Sequence, residues 1–215
     1  VKPLWLSLEV ASLATLAVIA TGLPIAFGLL KLPRRLSRFV EAFMLWPLVI
    51  PPSATGLALL WLLGDDGPVG RICVALFGET LLFSRAAAVI AATVISFPLF
   101  VRSARAALEA VPRRYIDLAR SLGDSPLGAA LRVHLPLARR GLLSGVALSF
   151  GRAMGEFGAT LMVAGLIQGR TETLALAVYN HAISSEDEQA WAAALLLAVV
   201  ASLVLFAMAW WEASE

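Results

Sequence analysis

The residues best placed to do chemistry are two charges inside an apolar stretch. Arg152 and Glu156 sit four positions apart in GLLSGVALSFGRAMGEFGATLMVAG, residues 141–165, among Gly145, Gly151, Gly155 and Gly158. An ionised side chain near the bilayer centre costs at least about 2.5 kcal/mol and is rarely left unpaired. On a helix, a spacing of four points both the same way, so they can pair with each other. Alternatively one of them faces a conduction path, where an Arg attracts an oxyanion and a Glu sets a gate. Gly151 and Gly155 form a small-xxx-small face suited to close helix packing, which needs no ligand. Other chemistry is sparse. Neither His134 nor His181 has a partner at metal spacing such as H-E-x-x-H, and no G-x-x-x-x-G-K-[ST] loop offers a phosphate cradle. His134 reads as a surface residue between apolar neighbours. The single cysteine, Cys73, cannot form an internal disulfide. A membrane-embedded hydrolase therefore lacks its nucleophile and base.

The other distinctive stretch is RRYIDLARSLGDSPLGAALRVHLP, residues 113–136. Tyr115, Ile116, Leu118, Ala119 and Leu122 recur at helical spacing and give one apolar face, while Arg113, Arg114, Asp117 and Arg120 crowd the rest. Gly123 follows the last periodic residue and reads as a stop, because it tolerates positive φ. Asp124, Ser125 and Pro126 supply an N-cap and a first-turn proline for a second short helix through Val133, with Pro136 closing the unit. Such a hairpin is too short to be a domain and is shaped to dock. An ordinary cytoplasmic loop held near lipid headgroups by its arginines is the alternative.

The elements that must position these residues are membrane spans. With 60% hydrophobic and 15% charged residues and a mean hydropathy of +0.84, the chain reads as an all-α polytopic membrane protein. Five spans are expected, at about 6–30, 41–63, 86–104, 141–165 and 190–211, in a single domain over 1–215. The first carries Trp5 as an interfacial anchor and Pro24 near its far end, and is long enough to stay in the membrane rather than act as a cleavable signal. Lys31, Arg34, Arg35 and Arg38 then make a basic loop. The second span is broken by Pro47, Pro51 and Pro52, which free backbone carbonyls and should leave it kinked and buried among others. Residues 64–85 are turn-rich, with Asp65, Asp66 and Glu79, and read as external. The third span should continue as helix beyond the membrane towards Pro112. Arg102, Arg105, Arg113, Arg114, Arg120, Arg132, Arg139 and Arg140 follow against only Glu109, Asp117 and Asp124, so this region is cytoplasmic by the positive-inside rule. TETLALAVYN reads as a short helix at the external face, and the last span is flanked by Trp191 outside and by Trp210 and Trp211 inside. The N-terminus is then out and the C-terminus in.

The spacing of Asp117, Leu118, Ala119, Gly123, Val133, Leu135 and Pro136 resembles the EAA loop of importer permeases of the ABC transporter superfamily, E-A-A-x3-G-x9-I-x-L-P. Asp117, Leu118 and Val133 are conservative departures; Gly123, Leu135 and Pro136 match at full spacing. The resemblance implies a type I ABC importer permease fold in which residues 113–136, including Arg113, Arg114 and Tyr115, form a cytoplasmic coupling loop seated on an ATP-hydrolysing subunit. FPLFVRSARAALEAVPRRY, GRAMGEFGATLMVAG and TETLALAVYN are similar, within a likeness covering about residues 45–210, to the permease subunits of molybdate importers, and less closely to those of sulfate importers. What this implies is a multi-pass permease of a bacterial or archaeal inner membrane, moving molybdate or tungstate by alternating access. Its implied partners are a second copy of itself, two ATP-binding subunits at the cytoplasmic face, one external solute-binding protein and the lipid bilayer, with no nucleic acid. The chain itself is expected to be no enzyme and to bind no cofactor, ATP and Mg being used by the ATPase partner.

Weak contacts suit a path from which cargo must leave. The path candidates are Ser53, Thr55, Ser149 and Thr160, with Arg152 and Glu156; a Ser or Thr inside a span more commonly bonds to its own helix. A sulfate or thiosulfate permease is the alternative cargo. An ion-coupled secondary transporter would use Arg152 and Glu156 as a coupling site, but no internal repeat is visible and the basic hairpin would go unexplained. A purely structural scaffold would leave the broken second span unexplained.

Overall fold

A computed structural model of the chain describes residues 2–214; the side chains of residues 208, 209 and 211–214 lie outside that description, and with them the Trp211 anchor. The centre is built from three long helices, over Lys2–Lys31, Arg85–Glu109 and Leu135–Met154. α1 (Lys2–Lys31) carries a stripe of small and branched residues, Val10, Ala11, Ala14, Val18 and Ala26, all buried. Each recurs at three or four positions or a multiple, so one face meets a neighbour along most of the helix. That neighbour is the helix over Arg85–Glu109, whose Ala87, Ala88, Ala91, Ala92, Ile95 and Ala104 are fully buried. Alanines on both sides let the two axes approach closely, which is how helices gain van der Waals contact where lipid supplies no hydrophobic drive.

Between these two helices the chain makes shorter pieces. α2 (Arg34–Met44) starts earlier than the expected span, so Arg34, Arg35 and Arg38 lie on a helix rather than in a loop. Pro33, at φ −54°, opens it, and the Ser37 hydroxyl donates to the Leu29 carbonyl at 3.2 Å, pinning it to the end of α1. α3 (Trp46–Val49) and α4 (Pro52–Leu63) follow. The expected second span is therefore three pieces rather than one kinked helix. Ile50 (ψ 141°) and Pro51 (ψ 135°) are extended, because a residue before proline is pushed out of the helical region and Pro51 and Pro52 donate no N–H. α5 (Pro68–Phe77) lies in the turn-rich segment, and α6 is the Arg85–Glu109 helix, capped by the Ser84 hydroxyl, which accepts from Ala87 N–H at 3.2 Å. It ends three residues short of Pro112, as the sequence suggests.

The docking unit comprises α7 (Arg113–Ser121), α8 (Pro126–Ala129) and a π-helical turn over Ala130–His134. It does not close at Pro136. That proline sits in the first turn of α9 (Leu135–Met154), and the π turn absorbs it: Leu135 N–H reaches back five residues to the Ala130 carbonyl. A proline would otherwise leave one ladder bond missing and press its ring on the preceding turn, and the extra residue relieves both.

α9 packs on α6 through glycines other than those expected. A Cβ at Gly141 would lie 2.6 Å from Ala107 Cβ and one at Gly145 would lie 3.0 Å from Ser103 Cβ, so this pair makes the close crossing. Among the described residues Gly151 meets only the Leu205 side chain, and Gly155 has no side chain against it. α10 (Gly158–Ala164), α11 (Leu174–Ile183) and α12 (Asp187–Ser214) complete the chain. The fourth span is thus broken as well, at Gly155–Phe157. α11 is the short helix expected from TETLALAVYN: Thr173 caps it, Leu174 N–H donates to Ser7 Oγ at 2.7 Å, and it packs on α1 and α12. Among the described residues three helices are long and apolar enough to cross a membrane, Lys2–Lys31, Arg85–Glu109 and Asp187–Ala207.

Candidate functional site

Two places collect the residues singled out by sequence, the docking unit and the paired helix breaks. In the docking unit Gly123 has φ +96°. Its N–H donates to Arg120 O and that of Asp124 to Ala119 O, each at 3.1 Å, the two bonds of a Schellman turn. Ser125 Oγ then accepts from Gly128 N–H at 3.0 Å to start α8, and Arg132 pairs with Asp124 at 3.0 Å across the turn. The apolar residues divide. Ala119 is buried, and Ile116 and Leu135 pack with Val111 and Ala138. Leu118, Leu122 and Leu127 face outward, 58%, 81% and 68% exposed. Arg113, Arg114, Asp117 and Pro136 are exposed, Tyr115 lies under the Arg114 guanidinium, and Val133 is half-buried. The result is a compact knob, stapled inward and carrying exposed leucines on its outer side.

What staples it is a residue misread from sequence. His134 is buried, and its Nε2–H donates to the Leu108 carbonyl at 2.9 Å while Phe27 meets the ring edge-on at 5.3 Å. It joins the docking unit to α6 and α1. Its flanks, Val133 and Leu135, were the available signal, since a polar ring between two inward-turned apolar residues must share their burial. Arg105 was also passed over. It meets Glu41 of α2 at 2.6 Å and Glu109 at 2.9 Å, with 13% of its side chain exposed. Burial works against its charge, but the hydrogen bond to Glu109 and the charge of Glu41 outweigh it and hold the pKa above the ordinary arginine value.

At the helix breaks, α4 and α10 lie backbone to backbone. A Cβ on Gly56 would sit 2.9 Å from Ala159 Cα, and one on Gly158 would sit 3.0 Å from Pro52 Cβ and 3.3 Å from Ser53 N. The interruption of the second span is thus seated on that of the fourth. Ser53 is exposed and Thr55 half-buried here. Arg152 and Glu156 pair at 2.7 Å, but not as neighbours along one helix, for α9 ends at Met154. Instead Glu156 bridges the gap: Oε2 meets the Arg152 guanidinium, and Oε1 accepts the Ala159 N–H at 2.9 Å in the first turn of α10. The Oε2 contact is an ion pair without an aligned N–H, so that oxygen is buried with no directed hydrogen bond. The carboxylate side chain is 1% exposed and that of Arg152 28%. Thr160 is buried beside this break, whereas Ser149 turns away to donate to the Ser96 carbonyl of α6 at 3.3 Å. Five of the six path candidates therefore cluster about the two breaks, and Ser149 belongs to the α6–α9 packing.

The sequence profile of the family described as "Binding-protein-dependent transport system inner membrane component" matches residues 16–214. A Mycobacterium bovis protein named molybdenum transport system permease protein ModB is 41% identical over 202 residues, 94% of this chain and 76% of that one. The Escherichia coli protein of the same name is 34% identical over 208 residues, covering 97% and 91%. Among solved structures, an inward-facing MetNI methionine ABC transporter chain superposes with a TM-score of 0.76 at 21% identity, covering 99% of this chain and 94% of that one. A chain of a bacterial ABC transporter that imports alginate superposes at 0.78 with 13% identity, covering 99% and 78%. At those identities the structures speak for the fold, which is that of an ABC importer permease.

Proposed function

This chain belongs to the family of binding-protein-dependent transport system inner membrane components, and on that premise we propose that it is the permease subunit of an ATP-driven molybdate importer. One observation supports the cargo above all: identity of 34 to 41% to molybdenum permeases across more than nine-tenths of the chain. Sulfate or thiosulfate is the alternative cargo, and tungstate shares the shape and charge of molybdate.

In this reading two copies form the path, each seated on an ATP-binding subunit, with one solute-binding protein above. ATP and Mg act in that partner and not in this chain. The outward leucines of the docking unit, Leu118, Leu122 and Leu127, are the surface that enters the ATPase. Motion there passes through His134 to α6 and α1, and directly into α9, because the π turn joins docking unit and span without a loop. α9 carries that motion to the break at Gly155, where α10 rests on α4. Closing one side of the path and opening the other then requires only that the two broken spans shift together.

The test is uptake into proteoliposomes holding this permease with its ATPase and binding protein, given labelled molybdate or labelled sulfate, with and without ATP on the cytoplasmic side. ATP-dependent molybdate uptake that excess sulfate does not compete away is the expected result. Preferred sulfate uptake corrects the cargo, and uptake of neither overturns the reading.

A further inference from the structure

We propose that Glu156 is an internal stand-in for the transported oxyanion, holding Arg152 when the path is empty and yielding it when a tetrahedral dianion arrives. The inference rests on the importer reading above and names the side chains that meet the cargo.

The geometry separates the two partners. Arg152, 28% exposed, is open on one side, while the Glu156 carboxylate, 1% exposed, is shut in behind it. Glu156 Oε1 is satisfied by Ala159 N–H, but Oε2 has no aligned donor. Of the two carboxylate oxygens Oε1 is tied to the backbone of α10, whereas Oε2 depends on the Arg152 guanidinium 2.7 Å away, so the carboxylate keeps one anchor when the arginine is drawn off. An Arg guanidinium accepts two oxygens of a tetrahedral oxyanion along the same fork it offers a carboxylate. A dianion carries twice the charge of the carboxylate and so attracts the guanidinium more strongly at equal distance.

Weak binding then has a cause. An unopposed arginine in a span would hold a dianion too firmly for release, and a path must bind weakly enough to let go. The competing carboxylate sets that limit: each cargo ion that takes Arg152 leaves Glu156 buried without its cation. Displaced, Glu156 keeps its bond to Ala159 and therefore stays with α10, while Arg152 stays with α9. The exchange thus loosens the Arg152–Glu156 bridge across Gly155, at the junction where α10 rests on α4.

The test compares Glu156→Gln with wild type in the assembled permease–ATPase complex. Glutamine keeps an oxygen for the Ala159 N–H and removes the competing charge. Labelled molybdate in equilibrium dialysis against the complex is expected to bind Glu156→Gln at least tenfold more tightly than wild type, and ATP-driven uptake with the binding protein is expected to turn over more slowly at a lower KM. A purely structural pair predicts the opposite split, a lower melting temperature with no gain in binding, and that result overturns the proposal. If Glu156→Gln does not assemble, the double variant Arg152→Met with Glu156→Met removes both charges. It is expected to assemble, bind no molybdate and fail to transport; uptake at the wild-type rate refutes the proposal. Wild-type uptake with Glu156→Gln unchanged in affinity and rate overturns this inference alone, whereas a wild-type complex that moves neither molybdate nor sulfate overturns the importer reading and this inference with it.

Discussion

Replacing Gly123 by valine isolates the contribution of the docking turn to coupling. At φ +96° a Cβ would meet nothing within 4 Å, so no packing clash enters and the cost is that of the backbone alone. Holding an L-residue at such a φ costs about 1–2 kcal/mol, and the turn can relax only by weakening the Gly123–Arg120 and Asp124–Ala119 bonds, each 3.1 Å. Relaxing gives up two bonds at about 1 kcal/mol each, so by either route the native turn should lose about 1–2 kcal/mol. At 1.4 kcal/mol per tenfold, its population falls about 5- to 30-fold relative to alternatives. Leu122 and Leu127 flank the turn, so their spacing on the docking surface is lost with it. The helices of the core do not contact this Cβ, and the melting temperature of the permease should move little. The assay is ATP hydrolysed per molybdate accumulated in proteoliposomes. Gly123→Val should raise that ratio several-fold while membrane insertion is unchanged, with Gly123→Ala between and Gly123→Asn, which tolerates positive φ, nearest wild type. Coupled uptake by Gly123→Val at the wild-type ratio would refute the coupling role of residues 113–136.

Other perturbations probe neighbouring links. Gly56→Ala places a methyl 2.8 Å from Met162 Cβ and 2.9 Å from Ala159 Cα; forcing α4 and α10 apart should cost about 1–3 kcal/mol, seen as a lower melting temperature together with reduced uptake. Leu127→Glu puts a charge on a side chain that is 68% exposed in this chain. It should leave the isolated permease within about 0.5 kcal/mol of wild type and weaken copurification with the ATPase, an effect absent if that surface meets only lipid headgroups. His134→Ala removes the 2.9 Å bond to Leu108 and the contact with Phe27. A loss of about 2–4 kcal/mol is expected from the unmade bond and the cavity, and protease accessibility of residues 113–136 should rise before that of α6.

Much of this protein is legible in residue order because the governing interactions are local. Apolar runs as long as a bilayer is thick, arginines concentrated on one side of them, a glycine stop, a serine cap and a proline pair each act on the few residues around them. The docking unit was therefore readable to its turn, and α11 as a short helix. Local order also explains the errors. A four-residue spacing correctly suggested that Arg152 and Glu156 meet, but the reason assumed one continuous helix, whereas the chain breaks at Gly155 and the carboxylate spans the gap. Gly151 and Gly155 and Gly141 and Gly145 present the same small-xxx-small spacing, and only the position of Ala107 and Ser103 on α6 selects the second pair for close contact. His134 looks exposed until α1 and α6 supply Phe27 and the Leu108 carbonyl. The amino-acid sequence by itself determined the all-α membrane class, the long apolar helices α1, α6 and α12 and the glycine turn of the docking unit, since each follows from period, length or backbone preference along the chain. Which faces meet, that one broken span lies on the other, and that a buried carboxylate joins two helices were decided only in three dimensions, because those contacts join residues far apart in sequence and depend on where each helix stops.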